Sequence, residues 1–160
     1  MCRKSDSQPA RLSFIGHALM ENRNGLAVDA RATQATGTAE REAALSMVKA
    51  LPGRRRVTLG ADKGYDAAGF VSDLRGVHVA PHVAQKVKGS AIDRRVARHA
   101  GYAISLRIRK RVEQIFGWMK TIAGLRKVKY AGEEKIDCLF AFAAAVYNLV
   151  RMRNLGLAAP

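Results

Sequence analysis

Cysteine is nearly absent from this chain of 160 residues: Cys2 and Cys138 are its two thiols. Two thiols cannot build a disulfide framework, and no Cys/His cluster has zinc-finger spacing, so a reducing interior is the expected compartment. Long apolar runs are missing as well. The longest, Cys138 to Tyr147, is about half of what a bilayer span requires, which excludes membrane insertion. Arg3, Lys4 and Arg11 interrupt the opening twenty residues before any sustained apolar stretch forms, which argues against a secretory leader. Glycine (14) and proline (4) are sparse while 48% of residues are hydrophobic, so collagen-like, low-complexity and disordered classes do not fit. The length suits one domain.

Acidic residues are also scarce, 13 Asp+Glu against 28 Lys+Arg, for a formal charge of +15. The excess is local. Residues 81–160 carry 16 basic and five acidic side chains, and between Lys86 and Lys129 there are thirteen basic residues and two acids, Asp93 and Glu113. Such a density repels itself unless anions neutralise it, and the partner it points to is nucleic acid. The competing reading is a solvated basic face with no ligand. An anionic membrane surface fits less well, because the charge is spread over several elements instead of one amphipathic anchor.

Residues 1–10 are polar and aperiodic, a lead-in, and residues 156–160 form a tail. Leu12–Met20 and Leu26–Thr33 read as extended, and the Asn24-Gly25 dipeptide between them signals a hairpin. Thr38 is placed to cap a helix carrying Ala43, Ala44, Met47, Val48 and Leu51, ended by Pro52-Gly53. A short strand, Val57–Ala61, runs into Asp62-Lys63-Gly64-Tyr65-Asp66; a helix from about Ala67 to Leu74 stops at Gly76, and Val77–Val83 is a second strand. Residues 84–103 read as an irregular basic insertion with a short helix around Asp93 to His99. Ile104, Ile108, Val112, Ile115, Met119 and Ile122 define the buried stripe of one long helix. A final helix, Lys135–Arg153, is apolar nearly all round and is expected to be covered by protein. Alternating α and β elements favour an α/β fold, a sheet with helices on its faces.

On a continuous helix, Arg109, Glu113, Phe116 and Lys120 share one strip at the edge of the apolar stripe. Glu113 either pairs with Arg109 four residues earlier or serves chemistry. The chemical alternative uses Asp62, which lies at the C-terminal end of a β run, where open α/β sheets expose their ligand edge. An Asp there and a Glu on a covering helix are hard oxygen donors suited to Mg²⁺, for activating a water or a 3′-hydroxyl in phosphodiester displacement. Two such ligands are too few for a two-metal site, so a third carboxylate is expected.

The segments Leu59-Gly60-Ala61-Asp62-Lys63-Gly64-Tyr65-Asp66 and Arg107 to Lys120 resemble bacterial insertion-sequence DDE transposases, more narrowly the insertion-sequence four/five superfamily. Arg109, Glu113 and Lys120 fall at the spacings of that family's signature around its third acidic ligand, with Leu106 where the signature has Tyr; the hairpin around Gly16 to Gly25 is similar to its second and third strands. The resemblance covers residues 11–155 and implies a ribonuclease-H-like mixed sheet with flanking helices, here lacking the first central strand and its Asp. It implies Asp62 and Glu113 as catalytic metal ligands for two Mg²⁺ ions, and Arg109 and Lys120 as DNA-binding cations; Arg107 and Lys110, basic residues near Glu113, are expected to hold the DNA backbone with them. The implied partners are double-stranded DNA and transposon ends, with an upstream transposase fragment or a second copy beside them, in the bacterial cytoplasm on the nucleoid. The expectation is a C-terminal transposase fragment that is inactive alone. The rival reading is a noncatalytic DNA-binding or dominant-negative interaction protein.

Other features have plainer readings. His78 and His82 stand four apart but in a β pattern with Pro81, which argues against zinc. Trp118 suits the edge of the core better than base stacking, Cys138 is expected to be buried, and Asp66 is expected to cap the following helix. Arg54-Arg55-Arg56 reads equally as a phosphate contact or a solvated strand entry.

Overall fold

A computed structural model of the chain describes residues 13–53 and 56–156. The polar lead-in, Cys2, Arg54, Arg55 and all but the first residue of the tail lie outside them. The described elements are β1 (Phe14–Met20), β2 (Ala27–Gln34), α1 (Ala39–Lys49), β3 (Val57–Ala61), α2 (Ala68–Gly76), β4 (Val79–Val83), α3 (Arg94–Arg98), α4 (Ala100–Ile108), α5 (Val112–Thr121) and α6 (Glu133–Asn154). Short 3-10 turns cover Lys63–Tyr65 and Arg109–Arg111. The fold is mixed α/β. Where one sheet was expected, the strands form two two-stranded sheets, β1 with β2 and β3 with β4. They belong to two compact units, one built from residues up to Ala44 and from Val112 onward, the other from Leu45–Arg111, with the boundary inside α1.

The first unit grows from the hairpin. β1 and β2 pair antiparallel from Phe14↔Gln34 to Leu19↔Asp29, then shift to Met20↔Ala27, so Val28 bulges out. Gly25 takes φ 72°, a left-handed conformation that favours glycine, and the Glu21 carboxylate accepts from the amides of Arg23, Asn24 and Leu26 to close the turn. α6 packs on the hairpin and also takes up its backbone polar groups. Asn148 both accepts from the Ala27 amide and donates to its carbonyl, Asp137 accepts from the Ala32 amide, and Arg151 donates to the Asn24 carbonyl. Polar helix side chains thus satisfy strand groups that would otherwise seek another strand. Ile115 and Met119 of α5 join Ile136, Phe140, Ala143, Ala144 and Tyr147 of α6 and Ala32 of β2 in the core. Trp118 lies edge-on to Tyr147 at 5.8 Å against this core, as its apolar reading expected.

Three sequence expectations about these helices need correction. The single long helix is interrupted at Arg109–Arg111, three basic side chains at the junction between units, and its halves are buried separately: Tyr102 and Ser105 in α4, Ile115 and Met119 in α5. Ile104 (49% exposed) and Ile122 (70%) therefore do not belong to one buried stripe. Among the described residues α6 is covered on one side, and Cys138, expected inside, is exposed. The core on which α6 rests is one hairpin and one helix, which reach a single face.

In the second unit β3 and β4 run parallel, from Val57↔Val79 to Ala61↔Val83. α2 connects them and buries Phe70, Val71 and Leu74. The second strand begins at Val79 instead of Val77, because Val77 closes the end of α2 and His78 turns through φ 60°. The basic insertion holds a short helix as expected, capped by Asp93 accepting from the Val96 amide at 2.9 Å. It ends sooner than expected, since His99 Nδ1 accepts from the Gly101 amide and α4 starts at Ala100.

Candidate functional site

β3 delivers its last residues, Gly60 and Ala61, to a chain end at which Asp62 begins the 3-10 turn. Gly60 permits close packing: a Cβ there would sit 3.4 Å from the Ser105 carbonyl oxygen and 3.6 Å from Arg109 Cβ. The C-terminal end of α4 consequently lies against the strand and brings Arg109 to Asp62. Asp62 Oδ1 accepts from the Lys63 amide at 2.7 Å and lies 3.4 Å from Arg109 Nη2. The Asp62 side chain is 61% exposed and that of Arg109 24%. Both contacts fall on one carboxylate oxygen, which leaves the accessible side chain a second oxygen for another ligand. Arg109 Nε is buried with no hydrogen-bond partner among the described residues, a cost that the ion pair offsets only in part.

Two buried polar contacts fix the platform behind this pair. His82 Nδ1 meets Ser105 Oγ at 2.8 Å, and the Tyr102 hydroxyl donates to the Val83 carbonyl at 2.8 Å; both tie α4 to β4. Burial, helped by the nearby His99, holds the His82 imidazole below its ordinary pKa, so the neutral ring is favoured. This is a packing role for a histidine that the sequence left without one.

Asp66, expected to cap α2, does something else. Its carboxylate is buried and accepts from the Lys86 amide and the Ala91 amide, each at 2.8 Å, clamping the basic loop after β4. Burial opposes the charge, but these amides, the Ser90 hydroxyl and the Lys86 charge outweigh it, and the carboxyl titrates below its usual range. The sequence offered no signal for this, because the donors lie 20 and 25 residues away.

Of the basic residues singled out, Arg107 and Lys110 are exposed in the same unit as Asp62, while Glu113 and Lys120 are exposed on α5 in the other. The expected strip of Arg109, Glu113, Phe116 and Lys120 is not one face of a continuous helix: Arg109 sits in the 3-10 segment paired with Asp62, and Phe116 packs on the core at 6.4 Å from Phe140. Arg56, the described member of the arginine triplet, is exposed just before β3. Asp62 and Glu113 have the hard-oxygen chemistry that suits Mg²⁺. Among the described residues, no three His, Cys, Asp or Glu side chains gather closely enough to hold a metal ion. No described helix is long and apolar enough to cross a membrane.

A family profile described as a transposase DDE domain matches residues 4–149, most of the chain. Searches of curated proteins and of solved structures each found no match.

Proposed function

This chain belongs to the transposase DDE domain family, and from that premise we propose that it engages double-stranded DNA at transposon ends. Arg107, Arg109, Lys110 and Lys120 hold the phosphate backbone, and Asp62 and Glu113 serve as acidic ligands. Proteins of this family act on DNA and typically use Mg²⁺. Ions held by such carboxylates activate a water or a 3′-hydroxyl and stabilise the leaving oxygen. The proposed class within the family is the insertion-sequence four/five superfamily, with a ribonuclease-H-like fold, and the proposed location is the bacterial cytoplasm, on the nucleoid.

The observation that carries this reading is Asp62 at the exposed end of β3 with the Arg109 guanidinium beside it. A phosphate held at that end would have a cation beside the acidic ligand, a pairing suited to phosphoryl chemistry. Arg109 also orients the Asp62 carboxylate. Two acidic ligands are fewer than a two-metal site takes, so cleavage requires a third carboxylate beyond Asp62 and Glu113, and the chain is proposed not to nick DNA by itself.

The same ion pair supports a second reading, noncatalytic DNA binding, in which Asp62 only orders Arg109. Metal dependence separates the two. Titrating the full chain with duplex DNA, with and without Mg²⁺, is expected to show an affinity that Mg²⁺ changes in the native chain and not in Asp62→Asn or Glu113→Gln. An affinity indifferent to Mg²⁺ in all three leaves only the binding reading.

A further inference from the structure

The loop after β4 is built on a buried charge. The Asp66 carboxylate accepts from the Lys86 amide at one end of the loop and from the Ala91 amide at the other, each at 2.8 Å, and Asp66 is only 1% exposed. Beside this clamp Gln85 Nε2 donates to the carbonyl of the buried Ile92 at 3.1 Å. Both ends of the loop are thereby tied to buried groups of the second unit. Between them Val87 is fully exposed, with the exposed Lys86 and Lys88 on either side of it in the chain.

Burying a carboxylate costs free energy, and this one orders a short loop whose apolar tip is left in water. A fixed, solvated valine gains nothing for folding, but fixing it in advance lowers the ordering cost of inserting it into a partner. Charge selects the partner. Lys86 and Lys88 beside the tip, and the exposed Arg94, Arg95 and Arg98 of α3, suit a polyanion, while the one acid in that stretch, Asp93, is paired with Arg75 at 3.0 Å.

We propose that this loop is a minor-groove reader: Val87 enters the minor groove of duplex DNA, Lys86 and Lys88 follow it into the groove's negative potential, and Asp66 is the positioning residue. The proposal rests on the DNA reading above and adds to it a base preference. Phosphate contacts alone need mobile cations and no rigid apolar tip. The major groove, about 12 Å wide, admits a whole helix or a two-stranded ribbon and seats a single-chain tip loosely; the minor groove, about 6 Å wide, fits it. On the minor-groove floor a G·C pair carries the guanine 2-amino donor, which an apolar tip cannot pair, and an A·T pair has no such group. The loop therefore favours A·T over G·C.

The test uses the full chain and three duplexes of equal length: A·T-rich, G·C-rich, and the G·C-rich sequence with inosine for guanine, which removes the 2-amino group and keeps the major-groove edge. The A·T and inosine duplexes are expected to bind alike, about five- to tenfold more tightly than the G·C duplex. Val87→Ser is expected to abolish that preference with helical circular dichroism and the salt dependence of binding unchanged, since Val87 lies outside the core. Asp66→Asn keeps one acceptor oxygen and every cation, so it is expected to narrow the preference at unchanged salt dependence, a split that loss of the fold does not produce. An inosine duplex that binds like the G·C duplex puts the contact in the major groove and overturns the proposal. Equal affinity for all three duplexes, or a Val87→Ser chain that keeps the preference, overturns it and leaves the DNA reading standing; full preference in Asp66→Asn overturns the role given to Asp66. A chain that binds none of the three overturns both readings.

Discussion

Arg109 Nη2 lies 3.4 Å from Asp62 Oδ1, which joins the residue after β3 to the residue after α4 across 47 positions of sequence. Asp62 is mostly exposed in this pair, so the pair contributes little to folding, in the range of about 0.2–1 kcal/mol for exposed ion pairs. Arg109 also carries a buried, unpartnered Nε. Arg109→Met is therefore expected to change unfolding free energy by less than about 1 kcal/mol while weakening duplex DNA binding. Urea unfolding and a DNA titration of the same preparation check both halves; a large loss of stability makes Arg109 a structural residue instead.

Asp66 presents the opposite balance. Its removal by Asp66→Ala leaves the Lys86 and Ala91 amides without their acceptor in a buried site, and a loss of about 2–4 kcal/mol is expected from two unsatisfied donors. Asp66→Asn, which keeps one oxygen, is expected to lose less. Because the folded carboxyl titrates below its unfolded value, its contribution is complete above the unfolded pKa of about 3.9 and disappears as pH falls through the lower folded value. Denaturant midpoints measured from pH 5 to pH 2 in native and Asp66→Asn chains report that difference in acid sensitivity.

His82 governs a different pH range. Its folded pKa is lowered, first by burial and then by His99, so the unfolded chain takes up the proton at higher pH than the folded one. Stability is expected to decline as pH falls through about 6.5, the unfolded value, and the decline ends once the folded imidazole is protonated. The slope approaches at most about 1.4 kcal/mol per pH unit for one proton. His82→Gln is expected to flatten that slope in unfolding curves taken between pH 7.5 and pH 5; an unchanged slope assigns the proton elsewhere.

Gly16 reports on the hairpin–helix packing. A Cβ at this position would lie 2.4 Å from the Phe140 ring, closer than carbon atoms approach, and Phe140 is buried in the core. Gly16→Ala is expected to destabilise the chain by about 1–3 kcal/mol, and Phe140→Leu in the same chain is expected to recover part of the loss. Thermal unfolding of the two singles and the double gives the coupling; strict additivity would contradict the contact.

What the sequence revealed depended on how local the cause was. The hairpin was legible because Asn24-Gly25 and the flanking alternation act within a few residues, and the short helix after Asp93 was legible because its cap lies next to it. The break at Arg109–Arg111 was hidden: it holds no proline or glycine, and helix-spaced apolar residues continue on both sides although they serve two separate cores. The exposed face of α6 was hidden for a related reason, since apolar side chains all round a helix look alike until the partner that covers only one side is known. At the candidate site, Asp62 was readable as an acid ending a β run. Its partner was not, because nothing in local spacing ties Arg109 to Asp62 when Glu113 stands four residues away.

The salt dependence of duplex DNA binding tests the account most directly. With Arg107, Arg109, Lys110 and Lys120 on phosphates, the logarithm of the association constant is expected to fall with the logarithm of salt concentration with a slope near about −3.6, and each single Ala variant to make it shallower by about 0.9. A chain that fails to bind duplex DNA at low salt, or binds with an affinity that salt and these four substitutions leave unchanged, contradicts it.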